Sequence, residues 1–248
     1  MISVCIATYN GERFIKQQID SILPQLLEED EVIVSDDGST DSTLEIITSY
    51  NDKRIKILHH AKKTAFEKIK YARAFYYASD NFENALKHAK GDYIFLSDQD
   101  DIWKADKVKK MVYSLQKTDC VHCNNDVIDS HGKITSFYPS KPIFSKHILK
   151  NLKTTPFLGC CIALRKEALQ YILPFPKKCI GHDLWIGCLC AAKNKMTYID
   201  EPLHSYRVHE CNVSPSVTLI SKNPLWFKII YRITFLFQIL KRLYMETK

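Results

Sequence analysis

No glycine-rich phosphate loop follows the first β-branched run of this chain, where Gly11 stands alone, which argues against a nucleotidyltransferase built on such a loop. The N-terminus has no basic start, and the apolar run from Met1 to Thr8 stops at the polar Tyr9-Asn10-Gly11. No secretory leader is therefore expected, and the protein is expected to stay in the cytoplasm. The nine cysteines lack a framework: an odd number at irregular spacing predicts reduced, mostly buried thiols without a bridge. Cys120-Val-His-Cys123 has the spacing of half a zinc site, yet no second pair with ligand spacing follows, so a buried strand holding two thiols is the better expectation. Nor is there a run of the ~20 apolar residues that a spanning helix needs. The most apolar stretch, from Asn223 onward, is broken by Lys228, Arg232, Lys241 and Arg242. An acidic surplus is missing too. The formal net charge is +7, which suits an anionic partner and by itself leaves open nucleotide phosphate, nucleic acid or an anionic membrane surface.

What is present is ample for folding. At 248 residues, 46% of them hydrophobic, the chain can bury a full core and is expected to form one large α/β domain with a short appendage. Its first half alternates β-branched runs (Ser3 to Ala7, Glu31 to Ser35, Ile55 to His59, Tyr93 to Ser97) with amphipathic stretches (Glu12 to Leu27, Ser39 to Tyr50, Asn81 to Lys90). Strands joined by crossover helices imply a parallel sheet, and such sheets bind ligands beyond the carboxyl ends of their strands. Three of these ends carry Tyr9-Asn10-Gly11, Asp36-Asp37-Gly38-Ser39 and Asp98-Gln99-Asp100-Asp101. A loop followed by a helix cap at Ser39 or Thr40, with Asp41 in the first turn, accounts for Ser39 to Asp41 but not for Asp36 and Asp37. Crowded carboxylates repel one another and persist where a cation or hydrogen-bond donors compensate them, so a metal or a nucleotide is implied.

Ser3-Val4-Cys5-Ile6-Ala7-Thr8-Tyr9-Asn10-Gly11, Ser35-Asp36-Asp37-Gly38-Ser39-Thr40-Asp41 and Gly91-Asp92-Tyr93-Ile94-Phe95-Leu96-Ser97-Asp98-Gln99-Asp100-Asp101-Ile102-Trp103, in this order and spacing, resemble glycosyltransferase family 2. The resemblance runs from Ile2 to about Ser214. It implies an α/β fold of GT-A type, with a Rossmann-like, mostly parallel central sheet flanked by helices, and inverting transfer of a sugar from a nucleotide-diphosphate donor. It makes Asp37, with Asp36 beside it, the contact to the nucleotide base, and gives Thr8, Tyr9, Asn10 and Asp98 to the donor. Asp100 becomes the direct ligand of a Mg²⁺ or Mn²⁺ that bridges the donor diphosphate.

Gly181-His182-Asp183-Leu184-Trp185 resembles the family block in which an acid at a helix start is the catalytic base, which makes Asp183 the candidate. Its plainer reading is a carboxylate that satisfies free helix amides, and that of His182 is a side chain that orients its neighbour. Tyr206-Arg207-Val208-His209-Glu210-Cys211-Asn212-Val213-Ser214 resembles a segment that closes over the diphosphate, where Arg207 meets the donor and His209 the metal. The chain departs from the pattern in two places. Residues 61–79 are basic and aromatic and lack an expected glycine, and Glu210-Cys211 stands where glycine or asparagine is expected.

These assignments divide the chain into a nucleotide-sugar-binding half (1–118) and an acceptor-side half (119–220), followed by an amphipathic basic tail (221–248). The tail reads as an interfacial helix with aromatic and aliphatic groups toward lipid and basic groups toward headgroups, at the inner face of the cell membrane. The alternative is a helix packed on the domain or on a second subunit. The expected partners are a UDP- or dTDP-sugar and a glycan or lipid-linked acceptor. The wording around Asp98 to Trp103 is similar to rhamnosyltransferases and their relatives in surface polysaccharide synthesis. Nucleic acid is not expected, because its one support is the basic stretch Lys62 to Arg73. A non-enzymatic nucleotide-sugar sensor would keep Asp37 and Asp100 without needing Asp183.

Overall fold

A computed structural model of the chain describes residues 1–137, 144–210, 212 and 223–245. The strands are β1 (Ile2–Thr8), β2 (Glu31–Asp36), β3 (Ile55–His59), β4 (Tyr93–Ser97), β5 (Ile102–Trp103), β6 (Cys120–Ile128), β7 (Ile134–Phe137), β8 (Ile162–Arg165) and β9 (Met196–Arg207). The α-helices are α1 (Ile15–Ile22), α2 (Thr43–Ser49), α3 (Arg73–His88), α4 (Lys107–Leu115), α5 (Ile148–Thr154), α6 (Leu169–Ile172), α7 (His182–Ala192) and α8 (Leu225–Met245).

Among the described residues nine strands join one sheet in the order β3-β2-β1-β4-β8-β6-β9-β5, with β7 paired to β6. β1 to β4 run parallel; β8 enters antiparallel between β4 and β6, and β9 returns to the parallel direction beside β6. Six of the nine described strands, β1 to β4, β6 and β9, thus run in one direction, with the parallel pairings of β1 to β4 as the βαβ pattern predicts, while β5, β7 and β8 run against them; both halves of the chain share the sheet. Side chains alternate across it. Val4 and Ile6 of β1 enter the core layer that contains Ile15, Ile19 and Ile22 of α1, whereas Cys5 enters the opposite layer with Phe82 and Leu86 of α3. The same alternation puts Cys120 in one layer and Cys123 in the other, so this pair cannot chelate one ion.

Several boundaries differ from the sequence reading. α1 is shorter than Glu12 to Leu27, because Pro24 turns its end into a 3₁₀ segment. α2 starts at Thr43, and Ser39 turns back to donate to Asp36 instead of capping it. α3 starts at Arg73, well before Asn81, from a left-handed Ala72 (φ 56°). The two-residue β5 was not expected; it pairs Ile102 with Ser205 and Trp103 with His204 at the sheet edge.

The tail forms a helix, α8, that packs on α5 and α7. Phe235 and Ile239 are buried in the core layer that holds Trp185, which contributes about 1.5–3 kcal/mol for each side chain. Here the basic groups correct the expectation. Arg232 Nε donates to the Leu152 carbonyl (2.7 Å), and Arg242 donates to the carbonyls of Tyr171 (2.9 Å), Leu173 (3.0 Å) and Pro174 (2.6 Å). Two arginines assigned to headgroups instead satisfy helix-end and loop carbonyls of the domain. Among the described residues no helix is long and apolar enough to cross a membrane.

Candidate functional site

The carboxyl ends of β1 and β2 are clasped together. Asn10, at φ 50°, accepts from Thr40 N through its amide oxygen (2.9 Å) and donates its backbone N–H to Ser39 Oγ (2.9 Å). Asp36 spends its carboxylate on this loop, accepting from Thr8 Oγ1 (3.0 Å) and from the backbone N–H groups of Gly38 and Ser39 (2.9 Å each). Gly38 makes the turn possible at φ 78°. Asp37 points elsewhere: its Oδ1 meets His60 Nδ1 at 2.6 Å, and His60 Nε2 lies 3.5 Å from Asp80, which also pairs with Lys63. Burial raises the Asp37 pKa while His60 and Lys62 oppose the rise. Tyr9 is 48% exposed, with the Lys62 ammonium over its ring and its backbone bridged to Gln99. The donor-side residues are therefore together, but with divided roles. Thr8, Asn10 and Asp36 build the loop, while Tyr9 lies on its exposed side and Asp37 is buried against His60. His60, Asp80 and the role of Lys62 and Lys63 were not read from the sequence; the basic stretch was the available signal.

The β4 end and the end of β9 are joined through the β5–β9 pairing. Asp100 Oδ2 and His209 Nε2 are 2.8 Å apart, and the His209 ring packs on Phe14 at 4.8 Å. Asp101 is fully buried, accepting from Arg207 N (2.7 Å) and pairing with His204 Nε2 (2.8 Å). Arg207 does not face the crevice. Its side chain is buried and donates to the carbonyls of Asp100 (2.6 Å), Asp129 and Ser130 (3.3 Å each) and to Gln17 Oε1 (2.7 Å). That geometry makes it a brace for the Asp98 to Asp101 loop, where a donor contact had been expected. Glu210, the departure from the family pattern, pairs with Arg13 at 2.6 Å, and Asn212 holds His209 N at 2.6 Å.

Asp183 stands in the first turn of α7, after Gly181 at φ 90°, and its Oδ1 accepts from Leu184 N at 2.7 Å. Burial raises its pKa to about 6 against that hydrogen bond. It is near enough to Asp98 for its charge to add to burial, Asp101 and Asp100 in raising the Asp98 pKa well above the carboxylate range. The base candidate is thus close enough to Asp98 for the two carboxyls to feel each other's charge. His182 turns away, stacking on Phe82 at 4.1 Å and filling the space beside Gly159, where an added Cβ would meet Nε2 at 2.5 Å. Burial pushes its pKa down to about 3, so it is a neutral packing residue between α3 and α7.

The family model for glycosyl transferase family 2 matches residues 3–173, more than half of the chain and the part that carries all three strand-end motifs. The chain belongs to this family. It is 31% identical over 233 residues to the dTDP-rhamnosyl transferase RfbG of Shigella flexneri, covering 84% of this chain and 72% of that protein. It is 28% identical over 193 residues to the UDP-Glc:alpha-D-GlcNAc-diphosphoundecaprenol beta-1,3-glucosyltransferase WfgD of Escherichia coli, covering 76% and 70%. Among solved structures, S. aureus TarS 1–349 in complex with UDP-GlcNAc matches at TM-score 0.64 and 18% identity, covering 94% of this chain and 66% of that one. The mannosyltransferase PcManGT from Pyrobaculum calidifontis, solved with GDP-Man and Mn²⁺, matches at TM-score 0.57 and 21% identity, covering 86% and 58%. These likenesses show the GT-A fold. The chain spans about two thirds or less of these solved chains and of the first curated relative.

Family 2 membership raises the question of which residues here suit a divalent ion. The 2.8 Å between Asp100 Oδ2 and His209 Nε2 is close to the ~3 Å between neighbouring ligand atoms of an octahedral ion with ~2.1 Å bonds. Asp98 and Asp101 add negative charge that such an ion would offset, so the residues fit one. A second group, Asp101, Cys160 and His204, brings three ligand atoms within 4.8 Å of one another. It is already saturated. The Lys107 amine contacts His204 Nδ1 (3.0 Å) and the Cys160 carbonyl (2.7 Å) inside the core, and both Asp101 oxygens are engaged. Despite a hydrogen bond with Cys161, burial and the carboxylates of Asp101 and Asp98 push the Cys160 thiol up, away from the thiolate a metal would need. This group reads as a buried brace under the acidic loop.

Proposed function

We propose that this chain is an inverting glycosyltransferase that uses Mg²⁺ or Mn²⁺ to move a sugar from a UDP- or dTDP-sugar to a hydroxyl of a glycan or lipid-linked glycan. The process is surface polysaccharide synthesis at the inner face of the cell membrane. The observation that carries this reading is Asp183, a carboxyl in the first turn of α7 whose pKa burial raises to about 6 and whose charge acts on Asp98 at the end of β4. A general base works best with a pKa near the working pH, and its removal typically costs about 10²- to 10⁴-fold. A nucleotide-sugar sensor needs no such base. The activities that RfbG and WfgD are named for support the choice of donors and of a lipid-linked acceptor.

Tyr9 and Asp37 hold the donor base, with the Asp37 carboxylate accepting from an imide N–H of uracil or thymine. Asp98 receives the ribose. Asp100 and His209 would hold the ion, which would supply positive charge to offset the charge that builds on the diphosphate leaving group. Asp183 takes the proton of the acceptor hydroxyl as that oxygen bonds to the anomeric carbon. The bond from that carbon to the diphosphate oxygen breaks on the opposite face, and the electron pair leaves with the nucleoside diphosphate. Arg207 acts through Asp100, whose carbonyl it holds.

The exposed face of α8 supports a membrane-surface location. Trp226, Ile230, Ile233, Phe237, Leu240 and Tyr244 recur at helical spacing on the side opposite Phe235 and Ile239. A screen of donor hydrolysis across UDP-, dTDP- and GDP-sugars, with and without a diphosphate-lipid-linked GlcNAc acceptor, tests the reading. Acceptor-stimulated release of UDP or dTDP is expected. Binding without any release would favour a sensor.

A further inference from the structure

An interfacial helix binds anionic membrane through apolar insertion and flanking cations. α8 has the first and has turned most of the second away. Arg232 and Arg242 are committed to domain carbonyls, and Lys228, four residues before Arg232, shares the packed side. Of the four basic residues noted in the tail, Lys241 alone is exposed beside the apolar stripe.

Other cations are brought to the helix by tertiary structure. Tyr71 packs against Trp226 (ring centroids 5.5 Å apart, edge-on) and Phe227 (5.3 Å), and the Lys70 ammonium lies over the Tyr71 ring at 5.5 Å. Lys68, Lys70 and Arg73 are exposed within three residues of Tyr71. Residues 61–79 contain one acidic residue, Glu67, and the described part of α8 contains none. The result is a surface on which an apolar stripe meets a basic rim at the Tyr71–Trp226 contact. It adjoins the site on two sides: α8 packs on α7, whose first turn carries Asp183, and the basic segment begins with Lys62 and Lys63 at the Asp37 corner.

We propose that this composite face docks the protein on an anionic phospholipid bilayer: the α8 stripe enters the interface, and Lys68, Lys70 and Arg73 bind the headgroups. The inference rests on the membrane-surface reading of α8 and adds where its charge comes from and which way the site faces. A bilayer is the favoured occupant because the three cations are exposed and spread along a segment, suited to diffuse headgroup charge and lacking the buried donors that a discrete phosphate pocket would need. A second copy of the chain would bring like charge to the same rim. Docked this way, the base and the donor corner lie beside the lipid surface, where an acceptor carried on a lipid diphosphate would present its sugar.

The test is co-sedimentation of the full chain with vesicles of phosphatidylcholine alone and of an equal mixture with phosphatidylglycerol. The variants are Lys68→Glu/Lys70→Glu/Arg73→Glu and, as a check on the stripe, Phe237→Ser. Each cation near an anionic surface is worth about fivefold in affinity, so losing three should weaken binding to the mixed vesicles by roughly 10²-fold or more. Binding to neutral vesicles should be unchanged, and Phe237→Ser should weaken both. Circular dichroism confirms that each variant is folded. Equal binding of wild type and triple variant to mixed vesicles overturns the composite face while leaving the α8 stripe intact. Failure of the wild type to bind either vesicle, or self-association through the stripe in its place, overturns both. Release from mixed vesicles by inorganic pyrophosphate at matched ionic strength would reassign the three cations to a diphosphate ligand.

Discussion

Replacing Asp183 by Asn should make the protein more stable and almost inactive, two effects that a purely structural carboxylate would not produce together. The magnitudes follow from the position of the side chain. Its folded-state pKa is raised to about 6 from an ordinary 3.8, a difference that corresponds to a ceiling of about 3 kcal/mol at 1.36 kcal/mol per unit. The group is partly exposed, so about 1–2 kcal/mol is expected after solvent screening. For a raised acid, the folded state binds its proton more tightly than the unfolded state does. The stability this confers is present at low pH and is lost as pH rises from the unfolded value toward about 6. Asn has no such loss and can still accept from Leu184 N. The variant should therefore melt roughly 2–8 °C higher than wild type at pH 8, with the advantage fading below pH ~4. Transfer should fall by about 10²-fold or more while donor affinity holds, and wild-type kcat/KM should rise with pH through about 6. Calorimetry at two pH values, isothermal titration with the donor and a coupled assay of nucleoside diphosphate release supply the readouts. Near-normal turnover, or a lower melting temperature at pH 8, would refute the reasoning.

Three other outcomes are expected. Asp100→Ala should abolish transfer, and excess chelator should do the same to the wild type; full activity in chelator contradicts the ion site at Asp100 and His209. Arg207→Ala removes a fully buried side chain together with the hydrogen bonds it gives to part-buried acceptors and should cost about 2–4 kcal/mol in a thermal melt, with Arg207→Lys giving only partial rescue because one ammonium cannot reach all of them; an unchanged melting temperature contradicts the brace. Deleting the chain from Asn223 uncovers the surface buried by Phe235 and Ile239 and should destabilise by ~3 kcal/mol or more, whereas Phe237→Ser, on the exposed side, should leave the melt within ~0.5 kcal/mol.

The strands of the first half were legible because β2 and most of β1 and β4 are buried on both faces and so read as continuous β-branched runs. The strand-end motifs were legible because a parallel sheet puts ligands at those ends. β5 and β8 escaped because two and four residues carry no period to detect. The first two turns of α3 were hidden by a basic, aromatic run that reads as loop and starts from a left-handed alanine. The direction of charged side chains is not legible in the sequence. Arg207, Arg232 and Arg242 were assigned to ligand or lipid, yet each is consumed by backbone carbonyls that only tertiary structure brings within reach. His60, one residue past β3, could not be paired with Asp37 from spacing alone.

The most direct measurement is the anomeric configuration of the product. The wild-type chain would be given the donor that the hydrolysis screen selects, together with a diphosphate-lipid-linked acceptor, and the new linkage read by proton NMR from the anomeric coupling. With one base, Asp183, and the leaving diphosphate on opposite faces of the sugar, a single displacement predicts an inverted linkage and one nucleoside diphosphate released for each bond formed. A linkage that retains the donor's configuration would contradict it.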